Sequence, residues 1–218
     1  MHTGFLKNKK LILAFVLLSI LTNIYAASWY INLGTTVSLN MASKEISAPS
    51  PVDFTLGACC DIFSLSKNTF VPSLSVFTGY YLWNDTTKNA LPAEIEQRTA
   101  FTINALLDLP YVFRVTAKNS FFSFGTGTAF LLRAGFLAPG VPKSEQSDIK
   151  KINAWFYQYG RFFYGLAQAA WDYKFQNKWS AGLILKYYLP VTQFLDPASP
   201  HALHGSMLGI SCRIGLPK

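Results

Sequence analysis

His204 and Ser206 stand two residues apart, the spacing at which side chains of an extended strand share a face, so the imidazole could draw the proton from the hydroxyl. The pair lacks its third member. Met207 follows the serine, and no carboxylate occurs in the remaining chain to orient the histidine. His204 is therefore expected as an exposed loop-end residue, and the chain is read as no enzyme. Cys59, Cys60 and Cys212 offer thiols, but neighbours in a strand point to opposite faces, and no ligands converge on a metal. Neither metal nor cofactor is expected. The remaining reactive groups are isolated charges, Asp61, Asp108, Arg114, Asp172, Lys174 and Arg213, whose role depends on the elements that carry them.

Those elements follow a two-residue beat. Trp29, Ile31, Leu33, Val37, Leu39 and Met41 share one parity, opposed by Asn32, Gly34, Thr36, Ser38 and Asn40, as in a strand with one apolar and one polar face. The beat recurs through residues 52–62, 73–83, 98–116, 122–136, 167–175, 179–189 and 207–216. Eight such strands close the smallest barrel of an antiparallel kind. Pro110 predicts a bulge or a point near a strand end. Trp155 to Tyr164 is aromatic on both parities, which predicts a bulge at the start of the sixth strand.

Lys7, Lys9 and Lys10 lead into the apolar run Leu11 to Leu21 and then to small residues ending at Ala27, the order of a cleavable signal peptide over residues 1–27. Residues 28–218 then form one domain. Half of the 218 residues are apolar and only 14% are charged, a low density for a water-facing surface. No later apolar run reaches the length of about 18 residues that a spanning helix needs. Export, an apolar composition and alternating strands together predict a transmembrane β-barrel, all-β, up-and-down, in the bacterial outer membrane. Three of the eight net positive charges belong to the leading segment, and the +5 that remains suits lipid head groups as well as solvated loops. No nucleic-acid partner is expected.

Short turns near Ser66-Lys67-Asn68, Lys118-Asn119-Ser120 and Gln176-Asn177-Lys178 alternate with longer segments at 42–51, 84–97, 138–153 and 191–203. Outer-membrane barrels have short periplasmic turns and long surface loops. Aromatic residues such as Trp29, Trp83, Trp171, Tyr173 and Trp179 crowd the strand ends as interfacial girdles. A soluble barrel of the lipocalin kind would carry Lys and Glu on its polar parity, whereas here that parity is mostly Gly, Ser, Thr and Asn.

The second half resembles the OmpW family of small outer-membrane barrels. Leu109-Pro110-Tyr111-Val112 through Phe121-Phe122 carries the likeness, and Gly165 to Lys174 followed by Lys178-Trp179-Ser180 and Lys186-Tyr187-Tyr188 carries it more closely. The resemblance implies a barrel that passes or binds small hydrophobic compounds. Such barrels usually end in an aromatic residue, whereas this chain ends Gly215-Leu216-Pro217-Lys218. His204-Gly205-Ser206 is similar to the His-x-Ser pair of outer-membrane lipid A deacylases, but Met207 replaces the Asn that follows there.

Placed by parity and height, Asp61, Asp108, Arg114, Asp172, Lys174 and Arg213 form a polar plug toward the periplasmic end, paired because lone charges in a narrow lumen are costly. Phe77, Tyr81, Trp83, Leu131, Tyr188 and Met207 form an apolar cup toward the outer end, for small hydrophobic solutes or simply as filling. The alternative from another class is a surface-exposed adhesion protein, its loops binding host or extracellular ligands and its barrel serving as a mount. In that reading the stretch from Ala138 to Asn153, with Lys143, Lys150 and Lys151, is a solvated, mobile loop.

Overall fold

A computed structural model describes residues 28–39, 51–65, 67–192 and 203–217. The expected signal peptide, Asn40 and Met41 of the first strand, and most of the 42–51 and 191–203 connections lie outside them. Eleven strands form one antiparallel sheet: β1 Trp29–Ser38, β2 Val52–Cys60, β3 Phe63–Leu65, β4 Asn68–Phe70, β5 Ser73–Asn84, β6 Asn89–Pro92, β7 Ala100–Ala117, β8 Ser120–Leu137, β9 Phe163–Lys174, β10 Ser180–Leu189 and β11 Met207–Gly215. Pairing of β1 with β11 and of β5 with β7 closes the ring β1-β2-β5-β7-β8-β9-β10-β11. The eight-stranded antiparallel barrel expected from the beat is the fold observed.

Parity decides which way each side chain points. Phe54, Phe124 and Ile210 are 64%, 56% and 53% exposed on the outer face, while Asn32 and Asn104 are 4% and 1% exposed inside. An apolar exterior around a small-polar interior inverts the pattern of a soluble barrel, and closure of the ring gives each of its eight strands a partner on both sides. Trp29, Trp171, Tyr173, Phe175 and Trp179 project outward near the end that carries the short turns, called here the turn end.

Pro110 makes no bulge. The register of β7 against β8 runs unbroken from Ala100↔Leu137 to Ala117↔Ser120, and the discontinuity lies on the other side. There β5 pairs with β7 up to Asp108, and β4 takes over from Tyr111. Pro110, with no N–H to donate, fills the gap between two partners, and its carbonyl accepts from the Val71 N–H at 3.1 Å. Across the ladder stands Gly127, where a Cβ would lie 2.3 Å from the Leu109 carbonyl oxygen.

The stretch read as a mobile loop, and the doubly aromatic stretch read as a bulged strand, are instead a helix. α1 spans Gln146–Tyr157, and β9 begins only at Phe163. Ile149, Ile152 and Phe156 recur at the helical spacing i, i+3, i+7, and with Trp155 they are the helix residues buried. α1 also replaces a strand. β9 leaves β8 at Phe130, and after the Leu131 N–H donates to the Phe162 carbonyl at 2.8 Å, β8 keeps β7 on one side and has no strand on the other. The Asn153 amide accepts from the Gly135 N–H at 2.8 Å and donates to its carbonyl at 2.9 Å. The Tyr157 hydroxyl likewise accepts from the Arg133 N–H at 3.0 Å and donates to the Arg133 carbonyl at 2.7 Å. Side chains of α1 thus satisfy an edge that would otherwise be left unpaired.

Leu185 faces outward midway along β10. Leu185→Arg should lower unfolding stability in lipid vesicles by about 2–4 kcal/mol, the cost of an arginine on the lipid face near the midplane. Urea unfolding of the vesicle-bound protein checks this, since an exposed leucine on a soluble barrel would tolerate the change.

Candidate functional site

The interior is built in layers. Nearest the turn end, Arg114 of β7 grips Asp61 through two bonds, Nη1 to Oδ2 at 2.9 Å and Nη2 to Oδ1 at 3.2 Å. Tyr30 donates its hydroxyl to the same carboxylate at 3.3 Å. Above it, Arg213 of β11 forks onto Asp172 of β9, with Nε to Oδ1 at 2.8 Å and Nη2 to Oδ2, and its guanidinium lies 4.6 Å from the Tyr30 ring centroid. The two chains meet across β10, which separates their strands. Gly182 makes the crossing possible, because a Cβ there would lie 2.7 Å from Asp172 Oδ1.

The third layer gathers on Asp108 of β7. Its Oδ2 accepts from Lys186 Nζ at 2.6 Å, Ser73 Oγ at 2.7 Å and the Tyr188 hydroxyl at 3.1 Å. Lys186 Nζ also reaches Ser73 Oγ at 3.0 Å, from β10 to the diametrically opposite β5. Asp108 and Asp172 are both fully buried. Bidentate and multiply bonded pairs of this kind replace the hydration that the lumen denies them.

Above Asp108 the filling is mixed, with Thr36, Thr102 and Asn104 buried beside an apolar cluster. Phe77, Leu131, Tyr188 and Met207 pack with Leu106, Ala129, Tyr164 and Leu166 into one buried cluster. Tyr81 and Trp83 belong to a second cluster, against Ile149, Ile152, Trp155 and Phe156 of α1. The six side chains read as a cup thus divide between the barrel filling and the underside of the helix. A cavity of about 30 Å³ remains beside them, lined by Tyr81, Leu131, Arg133, Trp155, Arg161, Tyr164, His204 and Met207 among others, with room for a water or a single small group.

Of the six charges read as a plug, five are cross-paired, and Lys174 is exposed at the end of β9, where no counter-charge among the described residues meets it. Lys186, the partner of Asp108, was not foreseen, although its parity with Gly182 and Tyr188 turns it inward. His204 is buried rather than exposed, because the turn at 203–206 folds back onto β1, where Gly205 N–H donates to Leu39 O at 2.9 Å. The Ser206 hydroxyl lies 3.4 Å from its partner Tyr187 OH. Among the described residues no group of three or more His, Cys, Asp or Glu is placed to hold a metal.

No protein-family model and no curated protein sequence matches the chain. Among solved structures, the outer membrane protein OprG from Pseudomonas aeruginosa is similar over 88% of this chain and 97% of that one, at 8% identity and TM-score 0.51. Neisserial surface protein A is similar over the same shares of the two chains, at 7% identity and TM-score 0.50. The fold is that of small outer-membrane β-barrels. At such identities the likeness is one of fold, and it agrees with the fold that the OmpW resemblance implies.

Removing one partner of a buried pair, rather than the pair itself, is what should cost stability. Asp172→Asn leaves the Arg213 charge buried and unmatched, and should cost about 3–5 kcal/mol. Replacing both partners with apolar residues of similar volume should recover most of that loss, read from urea midpoints of the folded, heat-modifiable band in gels.

Proposed function

We propose that the chain is an outer-membrane barrel that binds or passes small hydrophobic molecules through its loop-end mouth and has no enzymatic activity. The loop end faces the cell exterior, the turn end faces the periplasm, and residues 1–27 direct export. The observation that carries this reading is the buried apolar cluster on the loop side of Asp108, roofed by α1, over cross-paired charges toward the turn end.

A hydrophilic solute crossing the lumen would have to break three cross-lumen ion pairs in turn, two of them buried in a region of low dielectric. A hydrophobic molecule needs only to displace α1, exchanging one apolar contact for another. The mouth is filled while α1 is docked, so the apparent affinity for such a molecule scales with the fraction of barrels whose helix has lifted. Lateral release into lipid avoids the charged layers altogether. At the rim, the Lys88 hydrogen bond and the Trp83 indole N–H hold the Asp85 carboxyl below its usual range, and Lys151 of α1 lies 3.5 Å from it. Such an exposed tie adds little, and the apolar face of α1 is the principal anchor.

The surface-interaction reading is favoured by Tyr159, 74% exposed in left-handed backbone at φ 52°, and by Ile95, 60% exposed, both held out on loop-end connections. Removing residues 141–161 would then abolish binding to cells while leaving permeability intact.

Refolded protein in planar bilayers tests the main reading. Conductance should be small, should fall on addition of a hydrophobic solute such as benzene, and should not respond to glucose. Asn153→Ala removes both bonds to Gly135 and unfastens α1, so it should strengthen the benzene response by up to about tenfold if the docked helix limits entry. Absence of both conductance and benzene response would argue against the channel and cup.

A further inference from the structure

Three arginines reach into the barrel with distinct company. Arg114 and Arg213 each fork onto an aspartate, but Arg133, 6% exposed on β8, meets no carboxylate among the described residues. Its Nη1 donates to the Tyr81 hydroxyl and its Nη2 to the Arg161 carbonyl, both at 3.3 Å, and its buried Nε has no acceptor. Aromatic faces surround it, with the Phe156 ring centroid 4.2 Å away and those of Tyr81 and Trp155 each 5.9 Å away. The C-terminal end of α1 adds partial negative charge nearby, which offsets only part of a full cation. A buried guanidinium with a vacant donor is an expensive group to keep without a counter-charge.

The small cavity lies against this group. Arg133, Arg161 and His204 all line it, and none of its described lining residues is Asp or Glu. The Trp155 ring faces the Arg161 guanidinium at 4.7 Å as well as that of Arg133, so both cations share one aromatic wall. The rest of the lining, including Leu131, Pro92 and Met207, is largely apolar. The Arg133 guanidinium beside apolar walls, with room for a single small group, suits a carboxylate head on a hydrocarbon body.

We propose that this cavity is the head-group site for small hydrophobic carboxylic acids, with Arg133 as its principal cation. The assignment rests on the reading of the mouth as a binding cup and narrows its ligand class from neutral apolar compounds to apolar acids.

Titration of the refolded full chain with octanoate, octanol and acetate tests it, with Trp emission and calorimetry as readouts. Octanoate should bind about tenfold more tightly than octanol, the difference expected of one charge-assisted contact. Arg133→Gln should abolish that preference, so that octanoate and octanol bind the variant equally, and Arg133→Lys should retain part of it. Heat-modifiable gel mobility selects folded variants, and Arg161→Gln supplies a second, smaller loss should Arg133→Gln fail to fold. Equal binding of octanoate and octanol would overturn the head-group site and leave the cup standing. Acetate binding that depends on Arg133 without octanol binding would uphold the anion site and overturn the hydrophobic cup. Silence from all three ligands would overturn both.

Discussion

An eight-stranded barrel encloses an interior about as wide as its own side chains can fill, so a charge turned inward has little water to keep it and must find its opposite across the lumen. The remaining interior follows from that constraint. Asp61 meets Arg114, Asp172 meets Arg213 and Asp108 meets Lys186, every pair joining strands that are not neighbours in the ring. Small residues stand where the chains pass, as Gly182 does beneath Asp172 and Arg213. The mostly uncharged parity of Gly, Ser, Thr and Asn is thus the space that a few long ionic side chains require.

Strand parity was legible because the inner and outer faces meet opposite environments, and a period of two leaves each residue one choice. Pairing inside the lumen was less legible. Lys186 escaped notice because its long stem carries its charge across the barrel to Asp108 and Ser73, far from where its Cα lies. Lys174 has the inward parity but stands at the last position of β9, where its side chain is exposed. Tyr188 was read as apolar, and its ring is packed so, yet its hydroxyl belongs to the Asp108 layer. α1 is hidden because Asp148, Lys150 and Lys151 around Ile149 and Ile152 read as a solvated loop, while Trp155-Phe156-Tyr157 at its end, taken with a strand's period, look like a strand with two apolar faces. The signal peptide lies outside the described residues, so that expectation stands on its sequence pattern alone.

The mouth departs from the rule that governs the rest. Below Asp108 the charges are matched, whereas above it the barrel packs Phe77, Leu131, Met207 and Tyr164 against one another beside the buried Thr102 and Asn104, and leaves Arg133 among aromatic rings. Closure of that end falls to a segment outside the ladder. α1 is fastened by its apolar face and by two side chains that mimic a missing strand, so it can leave without breaking the ring itself.

The contact between Lys186 and Ser73 spans a full diameter, since β5 and β10 are four strands apart in either direction around the ring. Lipid squeezes such a cylinder sideways, and a thin wall yields most readily by flattening into an ellipse. A strut across β5 and β10 stiffens one axis and leaves the perpendicular axis, through β1 and β8, as the compliant one. β8 is also the wall to which α1 is tied, so lateral pressure in the membrane acts directly on the fastening of the mouth.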